Sequence, residues 1–177
     1  MKKTKFKQTG IGKIPIDFER KNDLIKAIKE FLLREEFILE NDLNERTLSH
    51  KLAEYLQKYF SDFNVDCEYN RMKGKNADSP FITKTLNLKE EDVKNSDTTG
   101  KTVYPDIIIH KRGNNKDNFL VIEVKKHQNN KNKSFDLKKL KAYTKELEYE
   151  FGIYLEFDRN KISQIKWFKN GKEIQEN

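Results

Sequence analysis

Cysteine occurs once in the 177 residues, at position 67. A lone thiol excludes an intramolecular disulfide and fits a reducing, cytoplasmic setting. Neither Cys-x-x-Cys nor His-Glu-x-x-His is present, so zinc chemistry is not expected. Cys67 lies in the strand-like run VDCEY and reads as an ordinary half-buried thiol, not a nucleophile. Long apolar runs are lacking too, and none approaches the ~20 residues of a membrane span. The basic start MKKTKFKQTG is followed by no apolar signal core, so export is not expected. Arginine supplies only six of the 36 basic residues. No internal repeat and no clear linker divides the chain, which is read as a single domain over 1–177.

What the sequence has is charge. Charged residues make up 37% against 35% for the hydrophobic class, with a net charge of +7. That excess suits a phosphate backbone, although on its own it is a weak pointer to nucleic acid.

Residues 1–21 read as a basic lead-in with Ile11, Ile14, Ile16 and Phe18 in a short extended arm. Leu24, Ile28, Phe31, Leu32 and Leu39 recur at helical spacing and predict a helix over 22–40, capped by Asn22 and Asp23. A second helix is expected over 44–60, with Leu48, Leu52 and Leu56 on one stripe. VDCEYN, 65–70, reads as a strand. Some thirty polar residues follow, RMKGKNADSPFITKTLNLKEEDVKNSDTTGK; a stretch of this kind inside a domain is expected to be functional or disordered. Two apolar runs, Ile107-Ile108-Ile109 and Leu120-Val121-Ile122, predict buried strands joined by a Gly/Asn-rich turn. A helix over 135–149 carries Leu137, Leu140, Thr144 and Leu147 on its stripe. GIYLEF and KISQIKWF complete the pattern as a hairpin. The order predicts an α/β or α+β fold with a central mixed β-sheet flanked by helices.

The two apolar runs carry acids where charge is costly. Asp106 opens the first; Glu123 and Lys125 end the second. Side chains alternate along a strand, so Phe119, Val121, Glu123 and Lys125 share a face. If Asp106 comes beside Glu123, the two carboxylates repel unless something positive lies between them. A divalent cation with oxygen ligands suits that place, and Lys125 adds positive charge aimed at a phosphate the cation holds.

Pro105-Asp106, then Glu123-Val124-Lys125 on the next strand, resembles the motif of the PD-(D/E)XK nuclease superfamily, with its restriction-endonuclease-like core. The resemblance covers about 44–157. It implies a metal-dependent nuclease hydrolysing phosphodiester bonds, in DNA rather than RNA, in a defence, restriction or repair setting. It also implies Mg²⁺, with Mn²⁺ able to substitute, held by Asp106, Glu123 and the backbone carbonyl of Val124. Lys125 would position or activate the attacking water. As an ordinary lysine it starts cationic, and a base role would need a strongly depressed pKa. The triplet itself carries little, because acid-x-Lys also occurs at Glu19-Arg20-Lys21, Asp92-Val93-Lys94 and Asp136-Leu137-Lys138. The strand context singles out the copy at 123–125.

The superfamily often draws a further acid from its first core helix. Glu45 fits, three, seven and eleven residues before Leu48, Leu52 and Leu56 and so on the core-facing stripe; its alternative role is a first-turn interaction with the helix dipole. Lys139 and Tyr143 stand where one exonuclease-like branch has Gln-x-x-x-Tyr. Lys139 is read either as a phosphate contact or as a solvated lysine. Arg71 and Lys73, with Lys75, either track a nucleic-acid backbone or form a solvated basic loop. A homodimer would suit double-strand cleavage, yet no exposed apolar stripe argues for one. The rival reading is a non-catalytic nucleic-acid- or protein-binding module on the same fold.

Overall fold

The computed structural model describes residues 4–41, 43–76, 79–86, 101–113, 116–127 and 133–175, with backbone path alone at 72–76, 79–81, 101 and 102. Among the described residues a six-stranded mixed sheet forms the centre of an α+β fold. Its strands are β3 (Asn64–Cys67), β8 (Ile107–His110), β9 (Asn118–Lys126), β10 (Phe151–Asp158), β11 (Lys161–Lys169) and β12 (Lys172–Ile174). The spatial order is β12-β11-β10-β9-β8-β3. Only β9 and β10 run parallel; the other neighbours are antiparallel. The parallel pair needs a crossover, which is α4 (Lys133–Glu146).

Both faces of the sheet are covered, which is why β8 and β9 read as unbroken apolar runs. On one face Ile107, Ile109, Leu120, Ile122 and Val124 pack with residues of α1 (Lys21–Arg34) and α3 (Glu45–Tyr59). On the other, Ile108, Val121, Tyr154 and Phe168 meet Leu140 and Tyr143 of α4. Gly152 lets α4 settle closely on β10, since a Cβ there would come within 3.2 Å of Phe168 and Thr144.

Several expectations change in detail. The basic arm is a hairpin of β1 (Phe6–Thr9) and β2 (Gly12–Pro15). Its Ile11 and Ile14, with Phe18 beyond, enter the core, and Trp167 Nε1 donates to the Lys13 carbonyl at 2.9 Å. The helix expected over 22–40 breaks at Glu35 into α1 and the short α2 (Glu36–Glu40). No side chain caps α1; Asp23 lies in its first turn and accepts from Arg20. Asn44 caps α3, its side chain accepting from the Thr47 N–H. The polar stretch contains two small hairpins, β4 (Arg71–Asn76) with β5 (Ser79–Thr83), and β6 (Thr85–Leu86) with β7 (Lys101–Thr102). Residues 87–100 of that stretch and 128–132 of HQNNKNKS lie outside the described residues. Asn170 and Gly171, both at positive φ, turn the chain into β12, a turn that suits a tight hairpin.

Candidate active site

Strand register brings the acids together. Ile107 faces Ile122, so continuing the antiparallel pairing sets Asp106 against Glu123 and Pro105 against Val124. Cross-strand partners share a face. Proline has no N–H, so the ladder cannot continue there. Asp106 instead accepts the Val124 N–H through its side chain, at 2.8 Å, and the Pro105 carbonyl accepts from the Glu68 N–H. The Val124 carbonyl thus faces a residue with no donor to give it.

Glu123 is 1% exposed. Its Oε2 accepts from Lys139 Nζ at 2.6 Å, while its buried Oε1 has no hydrogen-bond partner. Lys139 also lies 3.3 Å from Asp136 Oδ1. Lys125 Nζ sits 3.1 Å from Glu45 Oε2 and 2.9 Å from Asp136 Oδ2. The second contact is an ion pair by distance but lies off the line of a hydrogen bond, since Asp136 Oδ2 has no such partner. Glu45 Oε1 accepts the Lys126 N–H at 3.1 Å, which ties the start of α3 to the end of β9. The Tyr143 hydroxyl is buried nearby without a partner, in the field of Glu123.

Four carboxylates therefore surround two ammonium groups, and with all six ionised the cluster carries a net −2. Burial drives the Glu123 pKa well above the carboxylate range; Lys139 opposes this, while Asp106 and Asp136 add to it. Burial raises Asp106 as well, against the pull of Lys139 and the Val124 N–H. For Lys139 burial works against the charge, but Glu123 and Asp136 outweigh it and raise the pKa. Lys125 is likewise raised, since Asp136 and Glu45 overcome its burial. Both lysines are held as cations. A depressed pKa that would let Lys125 act as a base is not found.

Asp106, Glu123, Lys125, Glu45, Lys139 and the backbone of Val124 meet at one place. The solvated alternative for Lys139 does not hold, because the residue is buried. Arg71 instead contacts Thr83 within the β4–β5 hairpin; the Lys73 and Lys75 side chains lie outside the described residues. Asp136 completes the cluster, although in the sequence it belongs to one of the background acid-x-Lys triplets. Its legible signal was the spacing to Lys139 and Tyr143, three and seven residues on, which places all three on one helical face.

No family model matches the chain, and neither a curated protein nor a solved structure matches it significantly. Among the described residues, no group of three or more His, Cys, Asp or Glu side chains could by itself hold a metal ion. The donor set nonetheless fits Mg²⁺, which takes one or two carboxylates and completes its shell with water and phosphate. Asp106 and Glu123 would supply the carboxylates, Glu123 Oε1 is a buried oxygen without a donor, and with all six groups ionised the −2 balance is the charge that one such ion would neutralise. No helix among the described residues is long and apolar enough to cross a membrane.

Proposed function

We propose that this chain is a metal-dependent nuclease that hydrolyses phosphodiester bonds, in DNA rather than RNA. The observation that carries the reading is the buried Glu123 oxygen without a partner, set beside Asp106 on a strand end flanked by two fixed cations. Asp106, Glu123 and the Val124 carbonyl would hold Mg²⁺ or Mn²⁺. Bound there, such an ion polarises a scissile phosphate and lowers the pKa of its water. Lys125, kept protonated by Asp136 and Glu45, orients water and offsets negative charge building on the phosphate. Asp106 braces the end of β9 by accepting the Val124 N–H, which fixes the height of the carbonyl beside it. Lys139 offsets part of the repulsion among the carboxylates and opposes the rise that burial imposes on the Glu123 pKa.

One observation favours the rival reading of a non-catalytic binding module. The Lys139–Glu123 pair closes the cluster on itself, as a structural ion pair would. Incubation with plasmid, linear duplex, single-stranded DNA and RNA separates the two. Cleavage with Mg²⁺ or Mn²⁺ that stops in EDTA is expected; intact substrates under every condition would leave the binding module.

Glu45 gives a finer test. It holds Lys125 by charge and Lys126 through the backbone. Glu45→Gln keeps the backbone contact and loses the charge. Cleavage is expected to fall about 10²-fold with little change in stability. Wild-type turnover in this variant would reduce Glu45 to a helix-dipole role worth about 0.3–1 kcal/mol.

A further inference from the structure

The pairing of β3 with β8 ends at Cys67 and Ile107, at the same end of the sheet as the acids. Just beyond it opens a pocket of about 200 Å³ lined by Arg46, Ser49, His50, Cys67, Glu68 and Asp106. Arg46, Ser49 and His50 are spaced i, i+3 and i+4 on α3, so they share one helix face. The pocket belongs to the α3 side of the sheet and meets the site around the strand ends. Asp106 lines it while accepting the Val124 N–H. Glu45, the residue before Arg46, reaches Lys125 and Lys126 by the same route.

The floor of this pocket is uncharged and its rim is charged. Ser49 is buried; its hydroxyl donates to the Glu45 carbonyl at 2.9 Å, and its own carbonyl accepts from the Cys67 thiol at 3.7 Å. Burial, reinforced by Asp106, Asp66 and Glu68, pushes that thiol up to about 11, so it is neutral at ordinary pH. On the rim the Arg46 side chain is 83% exposed and pairs through Nε with Glu68 at 2.7 Å. Glu68 stands at φ 50°, in the left-handed region that is costly for a residue with a Cβ. Two contacts hold it there, the ion pair and its N–H donating to the Pro105 carbonyl at 3.0 Å. A guanidinium only donates and a carboxylate only accepts, so the rim sets a donor and an acceptor side by side above the neutral floor. The edge of every nucleobase carries that pairing in reverse. A phosphate suits the pocket poorly, because Glu68 and Asp106 put two carboxylates on its walls. The volume is smaller than the roughly 300–1,000 Å³ that holds a drug-sized ligand, and leaves room for one ring system.

We propose that this pocket receives one unpaired nucleobase beside the scissile phosphate, with Arg46 and Glu68 contacting its edge, so that the site acts on single-stranded or locally unpaired DNA. The assignment rests on the nuclease reading and narrows its substrate. A base inside a duplex is stacked on both sides and enters such a pocket only by leaving the stack, at a cost that is least for a base already unpaired.

Cys67 is the only cysteine and lines the pocket, so its alkylation by N-ethylmaleimide reads occupancy in the unaltered protein. Three DNAs are compared at saturation in Ca²⁺: a short duplex with one unpaired nucleotide, the same duplex with that nucleotide abasic, and the fully paired duplex. The unpaired base is expected to slow alkylation at least about tenfold, and the other two far less. Arg46→Ala, at an exposed position, should bind the first DNA about tenfold more weakly and the abasic one as the wild type does. Equal alkylation with the unpaired and the abasic nucleotide, or an Arg46→Ala loss that is the same on both, overturns the pocket. Either result leaves the nuclease reading intact wherever the wild type cleaves. Base-dependent shielding with no cleavage of any substrate overturns the nuclease reading and leaves the pocket to a binding module. A wild type that neither binds nor cleaves any nucleic acid overturns both.

Discussion

Glu123→Gln is expected to lower metal-supported cleavage by at least about 10²-fold while the protein melts no lower than its parent. The activity loss follows from removing a charged ligand at the proposed metal position. The retained stability follows from the direction of the pKa. Burial raises Glu123 in the folded chain, so the folded state binds its proton more tightly than the unfolded state does. Such a group costs stability once pH exceeds the ordinary carboxylate value, and the cost grows until the raised pKa is passed. At neutral pH the substitution removes that cost. Lys139 loses one partner but keeps Asp136 at 3.3 Å. Single-turnover cleavage beside thermal unfolding decides the matter; a melting point that falls in step with activity would mark Glu123 as a structural ion-pair partner.

Lys139→Met is expected to destabilise the protein in EDTA by about 3–5 kcal/mol, the usual cost of stripping one partner from a buried pair. Much of that loss should return on adding Mn²⁺, and Mn²⁺ should bind the variant more tightly than the wild type. The ammonium sits against Glu123 and Asp136 and within the field of Asp106. It therefore competes with any cation drawn to the same carboxylates. Denaturant unfolding with and without Mn²⁺, alongside Mn²⁺ titration followed by electron paramagnetic resonance, reads both effects. An equal stability loss in EDTA and Mn²⁺, with unchanged affinity, would show that Lys139 and the ion never share a site.

The centre of the fold was legible because its physics is local. Strands buried on both faces must be apolar throughout, so Ile107–Ile109 and Leu120–Val124 announced themselves, and the acids stood out against them. The periphery was hidden for the converse reason. β1 (FKQT) and β2 (GKIP) are too short and too polar to show a strand period, and Ile11, Ile14 and Phe18 gain their meaning only when packed into the same core as Trp167. The β4–β7 hairpins bring strand pairing out of a stretch with no apolar period. Within the site, Asp106, Glu123, Lys125 and Glu45 followed from strand parity and helical spacing. Asp136 did not, because α4 was oriented by Leu137, which the structure leaves half-buried while Asp136 and Lys139 turn inward. A helix face made of an acid, a lysine and a tyrosine looks solvated until the opposing strand is seen to be charged as well.

With all six of its groups ionised, the cluster's −2 balance would have a thermodynamic consequence. The chain as a whole carries +7, so what lies outside the cluster is more positive than the sequence total suggests. On the proposed reading, a polyanion drawn to that exterior would meet, with the carboxylates ionised, a negative hollow that repels its phosphate. A divalent ion reverses the sign of the hollow, and the phosphate in turn gives the ion further oxygen ligands. By linkage the two affinities are tied, each ligand strengthening the other by the same factor. On the proposed reading, the ion would be weakly held until nucleic acid arrives, and the cluster would spend most of its time closed around Lys139.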